Sequence, residues 1–311
     1  MTTIKKTTIS TTYRRNDLYH YRFSWIKLAR PMTFTGTICP MLVGTGLAAE
    51  KGHIQFDIFI TLLIATLFIQ AATNMLNDYF DFKHGQDKEK WVLAEGQSSL
   101  HRPAHHLIPF VASTLITIAI ILGIWLSAQT SFWIILVGTL GILFGYFYSA
   151  GPRPLCSVGL GELVAACFLG LATTILAYVV QGNLVNSQIL TVSITFALLI
   201  ASMILTNNIR DIEKDRSFRH TLGILLGRKK AVILLKSLLI LSYLWVFGAI
   251  LSGIVSWTSS VVLFAFPLAM KLRWSFRLGA KRNEEREGMK WAAWHHWAFG
   301  LLFACGIWLM V

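Results

Sequence analysis

The stretch NMLNDYFDFKHGQDKEK at 74–90 follows the apolar run IFITLLIATLFIQAAT and carries four acids, Asp78, Asp81, Asp87 and Glu89. A second acidic stretch, NNIRDIEKD at 207–215, closes another apolar run. Asn74, Asn77 and Asp81 are spaced i, i+3, i+7, and so are Asn208, Asp211 and Asp215, 134 residues later. Residues three, four and seven apart share one face of a helix. Asn77 and Asp81 therefore point together, with Asp78 beside them and Asp87 following, while Asp211 and Asp215 pair one turn beyond Asn208. Hard oxygen ligands of this kind suit Mg²⁺, which binds through a few carboxylates together with the phosphates of a substrate. Cations stand among the same acids: Lys83, Arg210, Lys214 and Arg216, with Arg153 on a neighbouring polar stretch. Carboxylates for a metal, beside guanidinium and ammonium groups for phosphate oxygens, describe a diphosphate site. Either cluster alone reads as readily as interfacial charges pairing with one another. Two clusters of matching spacing, each led by Asn, favour the site.

The elements that must present these residues are membrane helices. The chain has 311 residues, 55% hydrophobic and 14% charged, with mean hydropathy +0.59. Runs of about 18 or more mostly apolar residues read as membrane spans. Nine are expected, near 31–49, 56–80, 107–127, 131–150, 160–181, 188–209, 229–252, 254–271 and 291–311. Backbone groups in lipid must be satisfied within a segment or a closed barrel, and these runs are too long for strands. The fold class is therefore all-α and polytopic, with the helices around a central cavity that opens to the cytoplasmic side. Residues 1–30 are expected as a polar cytoplasmic tail and 31–311 as the transmembrane domain, with no cleavable leader. Alternating nine spans from a cytoplasmic N-terminus places 26 of the 28 Lys and Arg inside, as the positive-inside rule requires. The expected location is the plasma membrane, N-terminus in the cytoplasm and C-terminus outside. The net charge of +13 is thus a topology signal and a grip on anionic lipid rather than a nucleic-acid surface. Cys39, Cys156, Cys167 and Cys305 show no paired spacing, so neither disulfides nor zinc are implied.

The segments NDYFDFKHGQD (77–87) and NNIRDIEKDRSFRHTLGILLG (207–227) resemble the two signature motifs of the UbiA superfamily of intramembrane aromatic prenyltransferases. ARPMTFTGTICPMLVGTGLA (29–48) is similar to that family's first span, and GYFYSAGPRPLCSVGLGEL (145–163) to the loop between its fourth and fifth. The second motif and its downstream TLGILLG favour the branch that prenylates dihydroxynaphthoate on the way to menaquinone. The resemblance implies a Mg²⁺-dependent enzyme that ionises a polyprenyl diphosphate and joins the allylic cation to an aromatic acceptor, dihydroxynaphthoate with decarboxylation. By motif match it assigns Asn77, Asp81, Asp211 and Asp215 to the metal. Asp78, Asp87 and Asp211 are assigned to catalysis, and Lys83, Arg210, Arg153 and Asn208 to the diphosphate. The stretch KEKWVLAEGQSSLHRPAHH (88–106) stands where similar enzymes run Gly-rich. It is expected to lie over the active site.

Glu162 reads equally as an acceptor contact or as a carboxylate stabilised at a helix start. Tyr79, Tyr146 and Tyr148 read first as interfacial tyrosines. The histidine pairs at 105–106 and 295–296 read as packing residues, since adjacent helical residues point apart. Trp91, Trp291, Trp294, Trp297 and Trp308 read as interface anchors or lipid-facing bulk. The principal competing class is a transporter, which would place its polar groups near mid-bilayer on Gly- or Pro-interrupted helices. Here the acids crowd one end.

Overall fold

A computed structural model describes residues 19–93 and 102–311. Apart from a short antiparallel pair, β1 (Tyr19–Tyr21) with β2 (Trp91–Leu93), and an isolated bridge between His20 and Ala104, the regular structure among the described residues is helical. The helices are α1 (Trp25–Ala29), α2 (Thr35–Ala49), α3 (Phe56–Lys83), α4 (Ile108–Gln129), α5 (Trp133–Ser149), α6 (Gly161–Val179), α7 (Ser187–Arg210), α8 (Ile212–Asp215), α9 (Leu222–Leu251), α10 (Phe266–Ser275) and α11 (Arg282–Trp308). Within α6 the turn Ala166–Ala172 is wound as a π-helix. In α9 the backbone breaks at Gly227, whose φ of 72° only glycine adopts without strain.

Among the described residues, α3, α6, α7, α9 and the helix His105–Gln129 are long and apolar enough to cross a bilayer. A sixth span is counted if Trp25–Thr33 and α2, bent by 46°, act as one. The expectation of nine spans is therefore not met by nine uniform helices. Helix α5 has only 17 residues. The segment expected at 254–271 winds as a 3-10 helix over Trp257–Ala265 before α10 begins at Phe266–Pro267. Helix α11 opens on the charged RNEEREGMK.

Close approach of backbones holds the bundle, as expected where lipid removes the ordinary hydrophobic drive between helices. Gly170 of α6 lies so near α7 that a Cβ would stand 2.5 Å from Ala197 Cα. Helix α3 packs on α4 and α5, α6 on α2 and α7, α7 on α9, and α11 on α2, α7 and α10. The largest core cluster joins Val43, Tyr178, Phe196, Phe299 and Phe303. Outward residues such as Ile121, Leu136 and Leu244 are exposed by 60% or more, a surface suited to lipid.

Residues 19–30, expected as part of a tail, pack on the domain. Leu28 is fully buried with Ala72, Met75 and Leu76 of α3, and Tyr21 with Trp91. Residues 1–18 of the expected tail and 94–101 of the expected covering loop lie outside the described residues.

Candidate active site

Helices α3, α5 and α7 all end at the same side of the bundle, where α6 and α11 begin. Between them runs a cavity of about 660 Å³. Its lining on α3 extends from Leu62 to Asp81, about 28 Å of helix at 1.5 Å per residue. That nearly matches the hydrocarbon thickness of a bilayer. One end is apolar, with Leu62, Ala65, Leu126, Ile134 and Leu176. The other holds Asn77, Asp81, Asp87, Asn208, Asp211 and Asp215 with Arg30, Lys90, Arg210 and Arg219. Both acidic helix ends thus face one space. Three helix C-termini point toward it, and their dipoles favour cations there.

Cations cross-link the acids. Arg219, on the turn after α8, donates to Asp81 and Gln86, and its Nη1 stands 3.9 Å from Asp215 Oδ2. It therefore bridges α3 to the second acidic segment. Lys214 pairs with Asp87 and, at 2.6 Å, with Glu89. Arg210 clasps Asp211. Burial alone would raise the Asp87 carboxyl, yet Lys90 and Lys214 hold it well below the usual carboxylate range. Asp215 is raised, because burial outweighs the pull of Arg219.

The two asparagines are oriented from behind. Asn77 Nδ2 donates to Ser149 Oγ at 2.9 Å, and its Oδ1 accepts from Arg30 at 3.0 Å. Asn208 Nδ2 donates to Glu162 Oε1 at 2.6 Å. Asn74, one turn earlier, also lines the cavity and ties α3 to the end of α1 and the turn after it, through Ala29 O and Thr33 Oγ1. Glu162 is buried and does not line the cavity. It supports Asn208.

The other expected residues divide clearly. Asp78 lies behind the cavity wall, fully buried, gripped by Arg30 at 2.8 Å and Lys90 at 2.7 Å. It orients cations rather than facing the cavity. Lys83 and Arg153, expected at the diphosphate, are not among the cavity residues. Lys83 turns to the Tyr79 and Phe80 rings, 5.9 Å from each centroid, and Arg153 is exposed on the loop after α5. Of the three tyrosines only Tyr148 lines the cavity, while Tyr79 stacks on His105 at 4.4 Å. His295 and His296 are buried against Tyr243 and Thr35.

Sequence reasoning passed over Arg30, Lys90 and Arg219 as site residues. Arg219 had a signal, standing four residues after Asp215, the spacing at which side chains meet across one helical turn. Arg30 stood in the ARP of the first span. Its left-handed backbone, like that of Asp87 (φ 56° and 51°), has no sequence signature. These are the two positive-φ residues other than glycine among the described residues, and both line the cavity. Such strain collects at functional sites.

A divalent ion fits the chemistry of the donor set. The acidic end offers carboxylate and amide oxygens of the kind Mg²⁺ takes, and Lys90 and Lys214 already hold Asp87 in its charged form. As now arranged, no three acidic, histidine or cysteine side chains among the described residues stand close enough to hold an ion without rearrangement.

Comparison with known proteins agrees with this architecture. The UbiA prenyltransferase family matches residues 37–297. The chain is 34% identical over 282 residues to 1,4-dihydroxy-2-naphthoate octaprenyltransferase of Bacillus subtilis, covering 90% of this chain and 91% of that one. Among solved structures it is similar in fold to a UbiA homologue from Aeropyrum pernix (TM-score 0.64, 14% identity, 89% of this chain and 97% of the other). It is also similar to a UbiA homologue from Archaeoglobus fulgidus bound to GPP and Mg²⁺ (TM-score 0.57, 14% identity, 90% and 99%).

Proposed function

The chain belongs to the UbiA prenyltransferase family, and from that premise we propose that it transfers a polyprenyl group from a polyprenyl diphosphate to 1,4-dihydroxy-2-naphthoate, with loss of the acceptor's carboxylate as CO₂, in menaquinone biosynthesis. It is a Mg²⁺-dependent prenyltransferase embedded as a polytopic protein in the plasma membrane. The N-terminus and the polar end of the cavity face the cytoplasm, and the C-terminus faces outward.

The observation that carries this reading is the shape and polarity of one cavity. Acids and cations from two separate helices crowd one end, and apolar wall follows for most of a bilayer's depth. A cavity of this form suits an anion on a long hydrocarbon tail, its charge met by the cations together with a divalent ion on the acids. The reaction breaks the C–O bond of the allylic diphosphate, leaving an allylic cation and pyrophosphate. A ring carbon of the acceptor then supplies the electron pair of the new C–C bond, and CO₂ leaves from that carbon to restore the aromatic ring.

Separating charge is the demanding step, so the site should act electrostatically. Asn77, Asp81, Asp211 and Asp215 would hold Mg²⁺, with Asp87 beside them, and the ion when bound neutralises charge on the departing diphosphate. Arg210, Arg219 and Arg30 hold the diphosphate oxygens, and Asn208 positions the second cluster. The apolar walls, including the Phe144 and Phe168 rings 4.8 Å apart, exclude water that would quench the cation, and ring faces stabilise it. Tyr148, at the polar end, faces the acceptor.

The test is incubation of the membrane-reconstituted protein with a labelled polyprenyl diphosphate, Mg²⁺, and dihydroxynaphthoate, 4-hydroxybenzoate or homogentisate. A decarboxylated prenyl-naphthalene identified by mass is expected. Product from 4-hydroxybenzoate or homogentisate alone would overturn the acceptor, and turnover without a divalent ion would overturn the chemistry.

A further inference from the structure

The cations at this site differ in what lies behind them. Lys90 Nζ stands 2.7 Å from Asp78 Oδ1 and 2.5 Å from Asp87 Oδ2. Asp78 is sealed behind the wall, its side chain fully buried, while Asp87 lines the cavity. One partner of Lys90 is therefore permanent, and the other faces the space a diphosphate would enter.

The backbone around Lys90 is fixed on both sides. Its N–H donates to Asp87 O at 2.9 Å, and its carbonyl accepts from Arg22 N–H at 2.8 Å. The next residue, Trp91, pairs with Tyr21 across the two strands and packs against Phe82 with ring centroids 4.7 Å apart. Asp87 itself is held in a left-handed conformation, a local cost that the surrounding contacts must sustain. The sealed Asp78 also keeps a second oxygen, Oδ2, with no hydrogen-bond partner. A buried carboxylate in that condition strongly retains the cations it has. Burial works against the charge on Lys90, but Asp78 and Asp87 raise its pKa and keep it an ammonium.

The charges are close to balance. Arg30, Lys90, Lys214 and Arg219 face Asp78, Asp81, Asp87, Glu89 and Asp215. A site so balanced offers a polyanion little net attraction until a divalent ion takes over the carboxylates. An ammonium has three donors, so Lys90 can give up one partner and keep the other.

We propose that Lys90 is an exchangeable substrate-binding cation: without ligand it neutralises Asp87, and when a divalent ion takes Asp87 it turns, still anchored on Asp78, to a diphosphate oxygen. This rests on the diphosphate reading above and deepens it. The consequence is a pair of effects of opposite sign. Lys90 competes with the metal for Asp87 but assists the diphosphate.

The test uses the purified full chain as wild type, Lys90→Met and Lys90→Arg. Arg30 remains on Asp78 in every variant, so no sealed charge is left wholly unpaired. Mn²⁺ alone is titrated by electron paramagnetic resonance, and inorganic pyrophosphate is titrated by calorimetry in saturating Mg²⁺. In Lys90→Met the affinity for Mn²⁺ alone should rise several-fold, and that for pyrophosphate should fall about tenfold, the loss of one charge-assisted hydrogen bond. Lys90→Arg should keep pyrophosphate binding within about threefold of wild type, since a guanidinium still donates to phosphate. A merely structural role would weaken both ligands together, and that result, or unchanged pyrophosphate binding in Lys90→Met, overturns the proposal. A wild-type protein that binds no pyrophosphate with Mg²⁺ would instead overturn the diphosphate reading itself.

Discussion

Arg219 carries the connection between the two acidic helix ends, and replacing it with Met tests whether that connection is structural as well as chemical. Its side chain is 13% exposed, and those of Asp81 and Asp215 are 10% and 14% exposed. At about 4 Å and an effective dielectric of about 20, each such pair is worth roughly 4 kcal/mol before desolvation. Removing one partner of a buried pair costs about 3–5 kcal/mol, because the remaining charge is left uncompensated. Uptake of a proton by a carboxylate relieves roughly 1.4 kcal/mol per pKa unit, so a net loss of about 3 kcal/mol is expected for Arg219→Met. By the scaling of soluble domains to 311 residues, this lowers the unfolding midpoint by about 4–5 °C. The reference is Arg216→Met, which removes a pair with Glu213 at 3.7 Å whose side chains are 68% and 75% exposed; such pairs are worth under about 1 kcal/mol. Unfolding is followed by tryptophan fluorescence in detergent micelles, first with EDTA and then with Mg²⁺. Arg219→Met should melt well below Arg216→Met in EDTA, and Mg²⁺ should restore part of the difference by taking over the carboxylates. Equal midpoints for the two variants would refute the bridging role.

Glu162→Leu removes the acceptor that orients Asn208 and should lower kcat about tenfold, whereas Glu162→Gln, which still accepts the amide proton, should retain most of it; steady-state kinetics decides. Lys83→Ala and Arg153→Ala should leave pyrophosphate affinity within about twofold of wild type by calorimetry. Arg210→Ala should weaken it about tenfold or more, since a charge-assisted contact is lost. Gly170→Val inserts a side chain where α6 meets the α7 backbone and should cost about 1–3 kcal/mol, seen as a lower midpoint without a change in metal affinity above it.

How far the sequence spoke depended on the physics behind each signal. Apolar run length reports directly on the cost of backbone groups in lipid, so α3, α6 and α7 were legible to within a few residues, and α9 from its break at Gly227 onward. It did not foresee that the segment from Trp257 starts as a 3-10 helix packed along α11, since run length carries no information on winding. The i, i+3, i+7 spacing was a sound guide to Asn77 and Asp81, which share a face of the continuous helix α3. Asn208, Asp211 and Asp215 line the same cavity although α7 ends at Arg210 and Asp215 stands on α8, an arrangement that tertiary packing supplies. The spacing misjudged Asp78, whose neighbouring position turns it behind the wall, since adjacent helical residues diverge by about 100°. Long cations were the least legible. Lys83 is close to the acids in sequence yet lies over aromatic rings, while Lys90 and Arg30 reach the site through the β1–β2 pairing and a left-handed turn.

The central claim is that the ends of α3 and α7 act as one site for a metal-bound diphosphate. A double-mutant cycle on pyrophosphate affinity in saturating Mg²⁺, comparing wild type, Asp81→Ala, Asp215→Ala and the double variant, measures this most directly. Residues that act as a unit are strongly non-additive, so each single variant should lose nearly all binding and the double should be scarcely worse. Independent, additive losses, or pyrophosphate binding that survives either single substitution, would contradict it.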